Sequence, residues 1–326
     1  MSRENHVVAP PKLPLTVLVL TYNEERNLRA ALDSVADWAQ AVWVVDSIST
    51  DRTREIALES GAGFVQHPFE THAAQKNWAL DNLPISTEWV LFLDADERVS
   101  VELREEIRSL LSATRAPCNG YYIAMINHFM GEPLYHGAWH PDWRLLLFRR
   151  NRGRFEERAV HEHLMVEPPL ARLKHYLIHD DRKGLERYFD RHNIYSTMEA
   201  FEGLRERSGR SADGMLSARP LGTAPERRRW LKRLAYRYAI GRPLLRFGYS
   251  YFWKRGFLDG RVGFRYCVLQ MFYDYQVSLK MMELQRDPAS PMHARLKGPA
   301  SSDPAKVLAD VAKATDAGQR SGEALG

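Results

Sequence analysis

From Leu15 to Leu93 the chain alternates short, continuous apolar runs with segments whose apolar residues recur every three or four positions. Leu15–Leu20, Ala41–Val45 and Trp89–Leu93 are too short for stable helices and lack the polar alternation of a half-exposed strand. They predict strands buried on both faces. Asn27–Trp38 places Leu28, Ala31, Leu32 and Val35 on one helical face, and Thr53–Ser60 and Ala73–Leu83 also read as helices. Gly61 follows the second helix as a left-handed cap, and Gly63–Gln66 forms a further short strand. This alternation predicts an α/β domain around a mainly parallel sheet. A helix starting at Ser100 runs through Leu111, and Tyr121–Ile126, Arg144–Phe148 and Tyr176–Ile178 are strand-like.

After His179 the pattern changes to long helical stretches, Leu185–Leu204, Pro225–Ile240 and Arg261–Leu284, with a polar linker at Ser208–Thr223. Beyond Asp287 the chain is rich in Ala, Ser, Pro and Lys without apolar periodicity, which predicts a mostly disordered tail. The expected organisation is therefore an α/β domain over 1–182, a helical region over 183–286 and a tail over 287–326.

Composition adds charge to this picture. The formal net charge is +5, and the basic residues concentrate between Arg227 and Arg265, where Asp259 is the only acid. Trp230, Tyr236, Tyr251, Trp253 and Phe257 are among the aromatics interleaved with them. Such a segment suits an anionic membrane surface, with rings at the acyl boundary and cations at phosphate level. A nucleic-acid platform shares that composition, but no RNA-recognition, helix-turn-helix or OB signature accompanies it, so nucleic acid is not the expected partner. No apolar run approaches the roughly 20 residues needed to cross a bilayer. Cys118 and Cys267 show neither metal-ligand nor redox spacing, which fits a reducing compartment. The expected location is cytoplasmic, on the inner face of the membrane.

Polar residues recur where the strands end: Thr21, Asn23 and Glu24, then Asp46, then Asp94 and Asp96. In an open α/β sheet that edge binds ligands. Asp94 and Asp96 leave an apolar strand and, two residues apart, point the same way. Hard carboxylate oxygens of this kind suit Mg²⁺ or Mn²⁺ shared with a diphosphate. Taken alone, such an acidic cluster also reads as a solvated turn.

Leu18–Glu25, Val44–Thr53 and Phe92–Glu97 resemble, in order and spacing, three nucleotide-sugar motifs of family 2 glycosyltransferases. Pro141–Arg150 and Val160-His161-Glu162 are similar to the subgroup containing lipopolysaccharide-core glucosyltransferases and related exopolysaccharide enzymes. Arg242–Phe247 through Gly256–Gly260 is similar to the C-terminal segment of the same subgroup. One departure is Ile48, where many members carry glycine.

The resemblance implies a GT-A fold and an inverting transfer of a hexose from a UDP- or GDP-sugar to a lipid-linked, lipopolysaccharide or exopolysaccharide acceptor. It further implies that Thr21, Asn23, Glu24 and Asp46 meet the nucleoside, and Lys76 and Asn77 the base or diphosphate. Apart from the resemblance, Arg144, Arg149 and Arg150 frame a buried strand, and one of them, with Arg144 the candidate, is expected to meet the diphosphate or an anionic acceptor. Asp94 is expected near the ribose and metal, with Asp96 ligating the metal and His179 completing the site. Glu162 is the expected base and Asp142 its alternative. A nucleotidyltransferase would share the acidic edge but needs a glycine-rich, basic loop after the first strand, where this chain has Thr21-Tyr22-Asn23-Glu24.

Overall fold

The computed structural model describes residues 11–112, 116–137, 140–156, 163–207, 241–287 and 290–292. Two compact units form, one from Met1–Gly131 with Pro141–Arg182, the other from Glu132–His140 with Lys183–Gly326.

The first unit begins with β1 (Leu13–Thr21), α1 (Leu28–Asp33), β2 (Ala39–Asp46), α2 (Thr53–Glu59), β3 (Gly63–Gln66), α3 (His72–Asn82) and β4 (Trp89–Asp94). The short β5 (Glu97–Val99), α4 (Val101–Ser112) and β6 (Gly120–Phe129) follow. β7 (Glu132–Leu134) belongs to the second unit, after which β8 (Asp142–Arg149), β9 (Gly153–Phe155), β10 (Leu164–Val166) and β11 (Leu170–His179) complete the first. Its main sheet runs β3-β2-β1-β4-β8-β6-β11-β5, and β9 pairs with β10 separately.

Alternation along each apolar run explains the layers. Leu15, Val17 and Val19 of β1 join Trp89, Leu91 and Leu93 of β4 in one core with Leu28, Leu32 and Trp38. Leu18 joins Val45, Val90 and Phe92 in a second core on the opposite face, against Ala73 and Leu80 of α3. Both faces are apolar because helices cover both, so the strands read as unbroken hydrophobic runs. Thr16, also buried, is tolerated because its hydroxyl pairs with that of Thr87 at 2.7 Å.

The strands expected from Leu15 to Phe148 lie within three residues of their observed ends, whereas β11 begins at Leu170, six residues before the expected Tyr176, and α1 is shorter than the expected Asn27–Trp38. Its path turns at Ser34, whose hydroxyl donates to the Ala31 carbonyl and whose own carbonyl accepts from Trp38 Nε1. Val35 and Trp38 remain buried beyond the helix end. Gly61 has φ of 71°, the left-handed conformation expected of it. Ser100 and Thr71 cap α4 and α3 by accepting from Leu103 N and Ala74 N.

Register fixes the functional edge. Parallel β1, β2 and β4 finish together, Leu20 pairing with Val45 on one side and Asp94 on the other. β8 runs antiparallel to β4 and β6, and β11 runs parallel to β6. The start of β8 at Asp142 and the end of β11 at His179 therefore arrive at the edge where β4 ends.

In the second unit α5 (Gly184–Arg207) packs on a long C-terminal helix, α7 (Gly260–Arg286), through Ala200, Val277, Met281 and Leu284. Between them lie α6 (Arg242–Gly248), a π turn at Tyr249–Trp253 and a 3-10 turn at Gly256–Asp259. Among the described residues no helix is long and apolar enough to cross a membrane. The expected helix Pro225–Ile240, the basic cluster from Arg227 to Arg237, Glu162 and nearly all of the expected tail lie outside the described residues.

Candidate active site at the carboxyl edge of the sheet

At the end of β2 the Asp46 carboxylate is fully buried. Oδ1 accepts from the Thr21 hydroxyl at 2.9 Å and the Ser49 hydroxyl at 2.5 Å, while Oδ2 accepts from Ser49 N at 2.8 Å and Gln66 Nε2 at 3.0 Å. Asp46 thus ties the ends of β1, β2 and β3 to the loop before α2. Asn23, at φ of 52°, joins the same network. Its N–H donates to Ser49 Oγ, and its Oδ1 accepts from Thr50 N, both at 2.8 Å. Glu24 N donates to Thr53 Oγ1, and Glu24 Oε2 accepts from Asn27 Nδ2. Thr21, Asn23, Glu24 and Asp46 are brought together, as sequence motifs imply, in a preformed loop cradle.

Ile48 sits at the tip of this cradle with φ of 64° and 52% of its surface exposed. Its β-branched side chain adopts the backbone conformation that glycine takes without strain. Gln75 of α3 closes the side near Ser47, bonding Ser47 Oγ at 3.3 Å and His67 Nδ1 at 2.7 Å, with His67 stacked on Trp78. Lys76 lies 4.9 Å over the Phe155 ring. Asn77 is buried and makes paired bonds with the Phe155 backbone, so its place is structural.

The ends of β4, β8 and β11 assemble a second cluster. Arg144 Nη1 lies 3.4 Å from Asp94 Oδ2 and 3.5 Å from Glu97 Oε1, while its Nε lies 3.2 Å from Asp142 Oδ2. His179 Nε2 lies 3.3 Å from Asp96 Oδ2. Asp94 at the end of β4, Asp96 in the turn after it, Asp142 and Arg144 of β8 and His179 of β11 thus come to one place. Glu97, whose Oε2 accepts from Asp94 N at 3.0 Å, is the member that sequence reasoning passed over, although it ends the same acidic motif.

Electrostatics here follow burial. Glu97 is 1% exposed, and desolvation pushes its carboxyl up to about 8. The Asp94 charge adds to the rise and Arg144 opposes it. For His179 burial acts downward, but the hydrogen bond and charge of Asp96, with Glu97 and Asp94 beyond, outweigh it and raise the imidazole to about 9.

The donor set fits a divalent cation shared with a ligand. Asp94 and Asp96 offer hard oxygens and His179 a borderline nitrogen, a combination acceptable to Mn²⁺ and, through the oxygens, to Mg²⁺. Among the described residues no group of three or more His, Cys, Asp or Glu side chains is placed to hold a metal ion by itself. An open site that leaves positions for phosphate oxygens is the arrangement these side chains can offer.

The profile described as glycosyl transferase family 2 matches residues 16–165. The lipopolysaccharide core biosynthesis glycosyltransferase LpsC of Rhizobium meliloti (strain 1021) is 30% identical over 197 residues, covering 58% of this chain and 72% of that protein. An uncharacterized glycosyltransferase of Rickettsia bellii (strain RML369-C) is 36% identical over 99 residues, covering 30% of this chain and 33% of that protein. The S. aureus TarS 1-349 structure in complex with UDP-GlcNAc aligns over 83% of this chain and 91% of that chain, with TM-score 0.39 and 16% identity.

Proposed function

The chain belongs to glycosyltransferase family 2, and on that premise we propose that it is a metal-dependent, inverting hexosyltransferase acting on a lipid-linked or lipopolysaccharide-type acceptor at a membrane surface. The observation that carries the reading is the meeting of Asp94, Asp96, Asp142, Arg144 and His179 beside the Asp46 cradle. A glycolipid acceptor is further supported by the similarity to a protein named for lipopolysaccharide core biosynthesis.

In this reading the cradle of Thr21, Asn23, Glu24 and Asp46 holds the nucleoside of a UDP- or GDP-sugar. Asp46, with both oxygens engaged by the protein, shapes the cradle. Asp94 and Asp96, with His179, would hold Mg²⁺ or Mn²⁺. When bound, that ion neutralises charge developing on the departing diphosphate. Arg144 is the protein's own cation at this place, and it exchanges carboxylate contacts for phosphate oxygens when the donor enters. Lys76 adds positive charge from α3.

Inversion requires a base on the acceptor side to take the attacking hydroxyl proton. Glu162 is assigned that role on sequence grounds, with Asp142 as the alternative. The test is transfer from UDP- and GDP-hexoses to a glycolipid extract, with the product anomer read by NMR. Glu162→Gln should bind donor normally and fail to transfer; wild-type transfer by this variant together with a silent Asp142→Asn moves the role to Asp142. Retention of the donor's anomeric configuration contradicts the inverting reading.

A further inference from the structure

The second unit carries a surface that sugar transfer leaves unused. α6 continues into the π turn and exposes Leu244, Leu245, Tyr249, Phe252 and Trp253. Positions 245, 249, 252 and 253 follow helical spacing and so share one face. Leu245 is 73% exposed, Phe252 64% and Trp253 79%. Phe257 and Leu258 in the following turn are exposed as well.

Ring contacts make this one patch. Phe247 lies 5.3 Å from Tyr251, 6.4 Å from Phe252 and 6.0 Å from Phe264 between centroids, and Tyr251 lies 6.2 Å from Phe257. Contiguous exposed apolar surface of this kind marks an interaction site. It is also firmly supported. A methyl at Gly263 of α7 would collide with the Gly256 carbonyl oxygen, so the turn seats directly on the helix. Arg242 and Arg246 pair with buried Asp274 beneath α6.

Charge selects the occupant. Lys254, Arg255, Arg261 and Arg265 lie in the same segment, and from Gly241 to Tyr273 the only acid is Asp259. That carboxylate is 3% exposed and is consumed by Tyr135 N, His136 N and His136 Nδ1. The segment therefore presents apolar and cationic groups with no exposed acid. A bilayer interface offers both complements at once, acyl chains for the rings and anionic headgroups for the guanidinium and ammonium groups.

We propose that this patch inserts into the headgroup–acyl boundary of an anionic bilayer, with Leu245, Phe252, Trp253 and Phe257 in the acyl layer and Lys254, Arg255, Arg261 and Arg265 at phosphate level. It deepens the glycolipid reading above and rests on it for its purpose, while its test is read without sugar transfer. The full chain is floated with phosphatidylcholine vesicles with and without phosphatidylglycerol, beside a Leu245→Ser/Phe252→Ser/Trp253→Ser variant. Wild type should float with the anionic vesicles, and the variant should partition on the order of tenfold more weakly with unchanged melting and nucleotide binding. Should the variant lose its melting transition, quenching by brominated lipid decides: Trp253→Phe should lose most of the quenching, and equal quenching overturns the proposal. Wild type that ignores anionic vesicles, or a serine variant that floats equally well, overturns it. A serine variant that converts a dimer to a monomer overturns it in favour of a second copy, and vesicle binding only by a chain lacking residues 208–240 overturns it in favour of that segment as the cover. Failed flotation with nucleotide binding intact leaves the sugar-transfer reading standing.

Discussion

Glu97 is the residue where burial and charge conflict most directly. Its folded carboxyl titrates near 8 against an ordinary 4.5, so between those values the folded state keeps a proton that the unfolded chain has released. Stability conferred by this group is complete below the lower value and is lost as pH rises toward 8, at up to about 1.4 kcal/mol per pH unit. His179 acts with the same sign at higher pH: its contribution is complete below 6.5 and is lost as pH rises through about 9. Urea unfolding from about pH 5 to about pH 8 should therefore show a falling midpoint in wild type and a flatter one in Glu97→Gln. An unchanged slope in the variant places the titration elsewhere. Ile48 makes a separate prediction. Left-handed strain in a β-branched residue costs on the order of 1–3 kcal/mol, part of which glycine returns through unfolded-chain entropy. Ile48→Gly should raise stability by about 1 kcal/mol in the same assay, and a loss would remove the strain argument. At this scale the sequence made Asp94 and Asp96 legible because an apolar strand ends at them. It concealed Glu97, Ser49, Gln66 and Gln75, whose importance lies in which oxygen or amide meets which partner across distant segments.

Among the elements, β1 and β4 carry the site because both their faces are anchored. Leu18 is completely buried in the core beneath α3, and Leu18→Ala should cost about 2–5 kcal/mol through lost transfer energy and a residual cavity. A cost below about 1 kcal/mol on chemical denaturation would mean that the strand is not buried on that face. Asn77 clamps α3 to β9 through two backbone bonds, and Asn77→Ala, leaving those groups buried without partners, should cost about 1–3 kcal/mol. β1, β2 and β4 were legible because their apolar runs are unbroken, whereas β11 was legible only at Tyr176–Ile178 because Arg172, Lys174 and His175 interrupt its apolar run. β5, β9 and β10, of 3 residues each, were not, since so short a run carries no period and forms only because a neighbouring strand accepts it. α1 was overextended in the sequence reading because Val35 and Trp38 keep the helical spacing and stay buried after the helix itself has ended at Asp33.

On the scale of the whole molecule, the first unit holds the acidic edge and the second the apolar, cationic patch. Charge and aromatics between Arg227 and Arg265 are the sequence's ground for expecting a membrane surface, whereas the burial of the Asp259 side chain, the only acid of that segment, is visible only in the structure. Changing Arg227, Arg228, Arg229, Lys232 and Arg233 to glutamine should weaken only the salt-sensitive part of vesicle binding. The central claim, that the edge formed by Asp94, Asp96 and His179 holds a nucleoside diphosphate together with a divalent ion, is tested most directly by calorimetry of UDP and GDP with Mn²⁺ or EDTA, in wild type and Asp96→Ala. The account predicts that one of the nucleotides binds wild type at least tenfold more tightly with Mn²⁺, and that Asp96→Ala loses this enhancement while binding the nucleotide in EDTA as wild type does. Equal binding with Mn²⁺ and EDTA, or full enhancement in Asp96→Ala, would contradict it.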